Sequence, residues 1–247
     1  MSGATGVPVA VLLCPGRGSY GKNELGSIAR LLAQETPGDQ ALRDALAEAD
    51  AVRARAGRPT VSELDAAPAF RPGLHLDGKN AAELIYFATM AQLPALSARY
   101  AIAAVAGNSL GWYTALAASG AVDVSAGALL VRTMASLQDL AKGGQILTSS
   151  VDGDWRVDAT LAGGIEDALA QVNARGEDHF VARSIRLGGH EVLAGTEQGV
   201  TALLAALPKV QGGEREFPFR LAGHGPFHTR LCTEVASAAQ HELAELP

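Results

Sequence analysis

A short apolar run, Ile102 to Ala106, leads into Gly107-Asn108-Ser109-Leu110-Gly111, and helical text restarts at Trp112. That order narrows the possible folds sharply. A brief run with no polar alternation fits a strand covered on both faces, as in a parallel sheet. Glycines bracketing a serine fit a sharp turn from strand into helix, because they leave room where the backbone doubles back. A second apolar run, Pro8 to Leu13, reads as the first strand and enters the turn-forming loop Pro15-Gly16-Arg17-Gly18-Ser19. Between the two strands the periodicity predicts helices over Glu24–Gln34, Ala41–Ala54 and Ala81–Arg99, with an irregular stretch from Gly57 to Gly78.

The pattern changes after Gly143. Strands are predicted over Gln145–Val151, His179–Ile185, Glu191–Ala194 and Glu214–Arg220, with helices over Ile165–Ala174 and Glu197–Leu207. The order β-α-β-β-α-β is the ferredoxin-like plan. The expected architecture is therefore α/β: a hydrolase-like, parallel-sheet large domain formed by residues 1–143 and 212–247, with a ferredoxin-like small domain inserted at 144–211.

Composition removes several classes of function. Apolar residues make up 48% of the 247 positions and charged residues 19%, which suits a buried core rather than disorder. A net charge of −6 with no dense basic run gives no reason to expect nucleic acid. The eight-residue run Val7 to Cys14 is too short to span a membrane and has no basic residue before it. Cys14 and Cys232 are the only cysteines, so neither a disulfide framework nor a metal-ligand spacing exists. A cytoplasmic chain with no bound metal or cofactor is expected, and few lysines against many arginines suggest a bacterial genome.

Gly107-x-Ser109-x-Gly111, between a strand and a helix, matches a nucleophile elbow. There the serine Oγ is pushed clear of the backbone, and the N–H of Leu110 can face a developing oxyanion. Alone, a pentapeptide of this kind is a weak signal. The wider segment Ala106 to Leu116 resembles the nucleophile segment of the malonyl-CoA:acyl carrier protein transacylases, a family that includes the acyltransferase domains of polyketide synthases. Pro15-Gly16-Arg17-Gly18-Ser19 is similar to its first loop, Val192-Leu193-Ala194-Gly195 to its small-domain strand, and Gly225-Pro226-Phe227-His228-Thr229 to its histidine segment. The four motifs stand in family order.

The resemblance implies Ser109 as nucleophile and His228, 119 residues later, as general base. It implies an oxyanion hole built from the backbone N–H groups of Leu110 and Arg17. It also implies transfer of a short acyl group from CoA to the phosphopantetheine thiol of an acyl carrier protein, in fatty-acid or polyketide synthesis, with the CoA thioester as substrate. Thioester hydrolysis on the same scaffold and a non-catalytic carrier-protein-binding role are the competing readings. Asp139, Asp152, Asp154 and Glu166 lie between serine and histidine, but none stands out as a third triad member. His224 is read as structural or channel-lining, and His190 as structural.

Substrate-contact positions depart from the family. Asn108 replaces a histidine, Trp112 a glutamate and Asn80 a glutamine, while Arg186 replaces an asparagine. The arginine that grips the malonyl carboxylate, 25 residues after the serine, is Met134, with Arg132 on another helix face. Uncharged short acyl groups are therefore expected to be handled better than malonyl, unless Arg17 or Arg186 has taken over the carboxylate. Family members continue well past the histidine, so a second chain completing the C-terminal part of the fold is a candidate partner.

Overall fold

The computed structural model describes residues 6–34, 39–212 and 215–246. It divides into two units, Met1–Ser136 with Glu242–Pro247, and Leu137–His241. The boundary thus falls a few residues before the expected 143, and residues 212–241 group with the second unit rather than with the first.

In the first unit, β1 (Val9–Cys14) is followed by α1 (Ser27–Leu32), α2 (Asp39–Arg55), α3 (Val61–Asp65), α4 (Pro72–His75) and α5 (Gly78–Arg99). Then come β2 (Ala101–Gly107), α6 (Gly111–Ala118) and α7 (Val124–Leu137). β1 and β2 pair in parallel from Val9↔Ala101 to Cys14↔Gly107. The stretch expected to be irregular holds two short helices. α3 is started by a capping box, in which Glu63 N–H donates to Thr60 Oγ1 (3.0 Å) and Thr60 N–H to the Glu63 carboxylate (2.8 Å). α4 begins on Pro72, whose missing N–H costs a first turn nothing.

The core of this unit is helical: Ile28, Val61, Leu64, Leu84, Tyr86, Phe87 and Val131 pack together. By contrast, one row of β1 faces outward, with Val9 74% exposed and Val11 and Leu13 each 66%. Parallel sheets are ordinarily covered on both faces.

The second unit contains β3 (Gly144–Ser149), α8 (Ala159–Asn173), β4 (Val181–Leu187), β5 (His190–Gly195) and α9 (Glu197–Ala206). β6 (Val210–Gly212), β7 (Arg215–Phe217), β8 (Phe219–Arg220) and α10 (Thr233–Glu242) follow. Four of these strands form an antiparallel sheet in the order β4-β5-β3-β8, and β6 pairs with β7 apart from it. The strand expected over Glu214–Arg220 starts at a residue outside the described ones; its described part is split between β7 and β8. Ile165, Leu169 and Val172 of α8 and Val200 and Leu203 of α9 pack on Ile146, Val181 and Leu193 of the sheet. Asp158 caps α8 by accepting from Thr160 N–H (2.8 Å) and Leu161 N–H (3.1 Å), and Thr196 caps α9 through Gly199 N–H (3.1 Å).

Candidate active site

Ser109 sits at the carboxyl end of β2 with φ 53°, in the left-handed region that non-glycine residues seldom occupy. The flanking glycines explain how the chain reaches it. A Cβ on Gly107 would lie 2.2 Å from the Gly111 carbonyl carbon, and a Cβ on Gly111 would lie 2.1 Å from the Cys14 carbonyl oxygen. Neither position can carry a side chain without moving backbone. Asn108 N–H donates to Cys14 O (3.1 Å), Gly111 N–H to Asn108 O (2.9 Å) and Trp112 N–H to Ser109 O (3.0 Å), so the turn is bonded into both β1 and the start of α6. Leu110 buries its side chain in the core and opens α6, where first-turn N–H groups have no intrahelical acceptor.

The first loop lies against this elbow. A Cβ on Gly16 would come within 2.7 Å of Asn108 O and 3.3 Å of Asn108 Nδ2. The next residue, Arg17, sends its guanidinium to Leu76 O (3.4 Å); burial lowers its pKa, and nearby Asp77 partly offsets that. Asn80, 6% exposed, spends its amide on protein groups. Its Oδ1 accepts from Arg53 and Arg58, and its Nδ2 donates to Leu74 O (2.9 Å). Arg53 and Glu83 beside it form an ion pair, each only 1% exposed. Met134 is half-buried on α7. Arg132, on the same helix, lines a cavity of about 340 Å³ bordered by Ala45, Glu48, Asp123 and Leu129.

His228 belongs to the second unit and is the other predicted catalytic residue at a left-handed φ, 60°. It keeps an exposed surface, yet the atoms packed around its ring desolvate it and hold its pKa below the usual value near 6.5. A histidine in that state is neutral at pH 7 and can accept a proton. The residues before it are bonded to β3 and β4: Phe227 O accepts from Ser184 Oγ (3.0 Å) and Gln145 Nε2 (3.3 Å). His224 Nδ1 meets Gln145 Oε1 at 2.9 Å. Thr229 Oγ1 donates to Pro226 O (2.7 Å) on the far side of the turn. Sequence reasoning missed Gln145 and Ser184; the one available signal was an amide in an otherwise apolar strand, Gly144-Gln145-Ile146-Leu147.

The remaining candidates lie apart from this turn. Arg186 is exposed on β4, opposite Glu191 in the register. His190 stacks on Trp155 (centroids 5.0 Å) and meets Phe217 edge-on (4.9 Å), a packing arrangement. Among the described residues no group of three or more His, Cys, Asp or Glu could hold a metal ion, and no helix is long and apolar enough to cross a membrane.

No protein-family model matches the chain. It is 30% identical over 141 residues to the malonyl CoA-acyl carrier protein transacylase of Bacillus subtilis (strain 168), which is 56% of this chain and 41% of that protein. The match thus spans less than half of the curated relative's length. In fold it is similar to the malonyl-CoA:ACP transacylase of Synechocystis sp. PCC 6803, with a TM-score of 0.69 at 22% identity over 96% of this chain and 70% of that one. It is also similar to the acyl-carrier-protein S-malonyltransferase of Bartonella henselae, with a TM-score of 0.71 at 20% identity over 96% and 70% of the two chains. A third such structure, a malonyl-transacylase in complex with its type II polyketide synthase acyl-carrier protein, gives a TM-score of 0.68 at 22% identity over 96% and 70%. The chain has the mixed α/β fold of these transacylases, and its resemblance to the family is matched in sequence by the relative over those 141 residues.

Proposed function

We propose that the chain is an acyl carrier protein S-acyltransferase that works through an acyl ester on Ser109. The observation that carries this reading is the elbow itself: a serine held at φ 53° by two glycines that no other residue can replace, at the carboxyl end of a parallel strand. A non-glycine residue held in such a conformation is a recurrent mark of a functional site.

In this mechanism Ser109 Oγ attacks the thioester carbonyl of an acyl-CoA while His228, neutral at pH 7, takes the hydroxyl proton. The backbone N–H groups of Leu110 and Arg17 receive the developing oxyanion; because the donor at residue 17 is main-chain, an arginine serves there as well as any other side chain. Collapse of the intermediate breaks the C–S bond, and the imidazolium returns its proton to the departing CoA thiol. The phosphopantetheine thiol of a carrier protein then attacks the ester, and the same proton transfers run in reverse. No step needs a metal or a bound cofactor.

The finer assignments rest on the same reading. We take the first unit as the hydrolase-like domain and the second, with its β4-β5-β3-β8 sheet under two helices, as ferredoxin-like. Both thiols have pKa values raised by burial and neither is in a disulfide, which suits a reducing cytoplasm. The uncovered face of β1 supports a second chain lying over Val9, Val11 and Leu13. Val11→Lys should then weaken that assembly, and an unchanged assembly removes the partner from the reading.

The test of the function is intact mass. Mixed with an acyl-CoA, the chain should gain one acyl group, mapped to Ser109, hold it in water and discharge it to a holo carrier protein. Ser109→Ala should show no adduct. An adduct elsewhere overturns the mechanism, and rapid release of free acid that carrier protein does not alter assigns a hydrolase instead.

A further inference from the structure

The Gln145 amide is 3% exposed, on a strand whose neighbour Ile146 is fully buried. A primary amide is tolerated there only with its bonds made, and the bonds converge on one peptide unit. Gln145 Nε2 donates to Ser184 Oγ (3.1 Å) and Phe227 O (3.3 Å), and Ser184 Oγ donates in turn to Phe227 O (3.0 Å). A carbonyl can only accept, so the amide nitrogen must be the end facing Phe227, and Oε1 is left facing His224. The His224 Nδ1 at 2.9 Å must therefore carry a proton. Every proton in the cluster has an acceptor.

The position of that carbonyl matters more than the satisfaction of the amide. Phe227 C=O belongs to the peptide plane that joins Phe227 to His228, and rotation of that plane about the next N–Cα bond is the φ of His228. Two donors from β3 and β4, the strands on either side of β5, hold the plane. They act directly on the torsion that lies at 60°, in the left-handed region. Released from them, a histidine would relax toward negative φ and carry its ring to a different direction.

We propose that Gln145, together with Ser184, is a positioning residue that clamps the Phe227–His228 peptide plane and so sets where the His228 imidazole points. The inference rests on the reading of His228 as the general base, and it adds a support for that base built wholly from the second unit.

Ser184→Ala, Ser184→Thr and Gln145→Leu test it in the full chain, by steady-state acyl transfer and by the NMR shifts of the His228 ring. Ser184→Ala should lower kcat about tenfold, and Gln145→Leu about a hundredfold, with KM within about twofold, the pattern of a misaimed catalytic group. Ser184→Thr, which keeps the hydroxyl, should restore the rate and the wild-type ring shifts. If Gln145→Leu fails to fold, the Ser184 pair decides alone. A rise in KM at unchanged kcat, or equal losses in Ser184→Ala and Ser184→Thr, overturns the clamp. If the wild type transfers no acyl group at all, the functional reading fails separately and the ring still answers. A His228 shift moved by Ser184→Ala and restored by Ser184→Thr upholds the clamp, and one unmoved by either sinks it.

Discussion

Ser109 and His228 share a backbone state, with φ at 53° and 60°, but the two units hold it in different ways. An L-residue in that conformation costs about 1–2 kcal/mol, so each must be constrained by its surroundings. At the elbow the constraint is steric and local. Gly107, Gly111 and Gly16 let three backbone segments touch, and the nearest atom that a Cβ at each would meet is backbone. At the histidine turn the constraint is polar and long-range, because Gln145 and Ser184 reach residue 227 from β3 and β4. The first device resists everything except the insertion of atoms. The second can be dismantled one hydrogen bond at a time.

The sharpest way to break this comparison is to add one carbon to the elbow. Gly111→Ala should destabilise the chain by about 3 kcal/mol or more, because its Cβ would meet backbone at 2.1 Å rather than a movable side chain. Gly153→Ala, in the second unit with nothing within 4 Å, should shift stability by less than about 0.5 kcal/mol. Urea denaturation of the two variants decides it. Equal midpoints would mean that the elbow is not held by steric exclusion.

Removing the base itself should cost activity rather than stability. His228→Ala is expected to slow acylation of Ser109 by about 10²–10⁴-fold, the range for a positioned proton transfer, as read by rapid-quench mass spectrometry. The pH profile sharpens the point. Desolvation disfavours the imidazolium, so the folded pKa lies below 6.5 and the neutral base persists to lower pH than in a free histidine. The rate of acylation should fall only as pH drops through that lowered value. The unfolded chain binds the proton more readily, so the same group makes the fold less stable as pH falls through the window between the folded pKa and about 6.5. An acid limb centred above 6.5 would contradict the desolvated setting.

A malonyl carboxylate needs a cation or a donor, and the candidate residues are divided between the two units. On the elbow side Met134 offers no charge and no donor, and an unpaired buried carboxylate typically costs about 2–5 kcal/mol. Acetyl-CoA should therefore exceed malonyl-CoA in kcat/KM by about thirtyfold or more. A malonyl preference above about tenfold would show that the anion has another anchor. Its loss in Arg17→Ala would place that anchor in the first unit, and its loss in Arg186→Ala would place it in the second.

How far each device was legible in the sequence follows from its range. The elbow is encoded in five consecutive residues, so Ser109, both glycines and the flanking strand and helix could all be read from the text. The first two strands, β3, and helices α5 and α9 were legible too, since each is long enough or apolar enough to show its period. Helices α3 and α4 were not, because four or five residues complete barely one turn; the Thr60–Glu63 capping box was the overlooked sign. The division into units differs from the expected bounds for a related reason. Residues 212–241 carry only short strands and turns, whose allegiance is set by pairing such as β8 on β3 rather than by local pattern. His228 was singled out through its neighbours Gly225 to Thr229, while the bonds to the turn before it join positions 39 to 82 residues apart and leave no trace in spacing.

The smallest expected effect lies at His224, four residues before the base. The ring donates from Nδ1 to Gln145 Oε1, on the side of the amide away from the clamp. His224→Ala removes that donor but leaves Gln145 Nε2 on Ser184 and Phe227 O, so the peptide plane ahead of His228 keeps both of its bonds. An acceptor left without its donor costs about 1–3 kcal/mol when no water replaces it. The variant should therefore lose some stability while acylation falls by less than about tenfold. This result would separate the two halves of one amide: the oxygen side serves the fold, and the nitrogen side serves the base. Rates that fell in His224→Ala as far as in His228→Ala would instead make His224 the proton acceptor. The turn would then owe its left-handed residue to something other than catalysis.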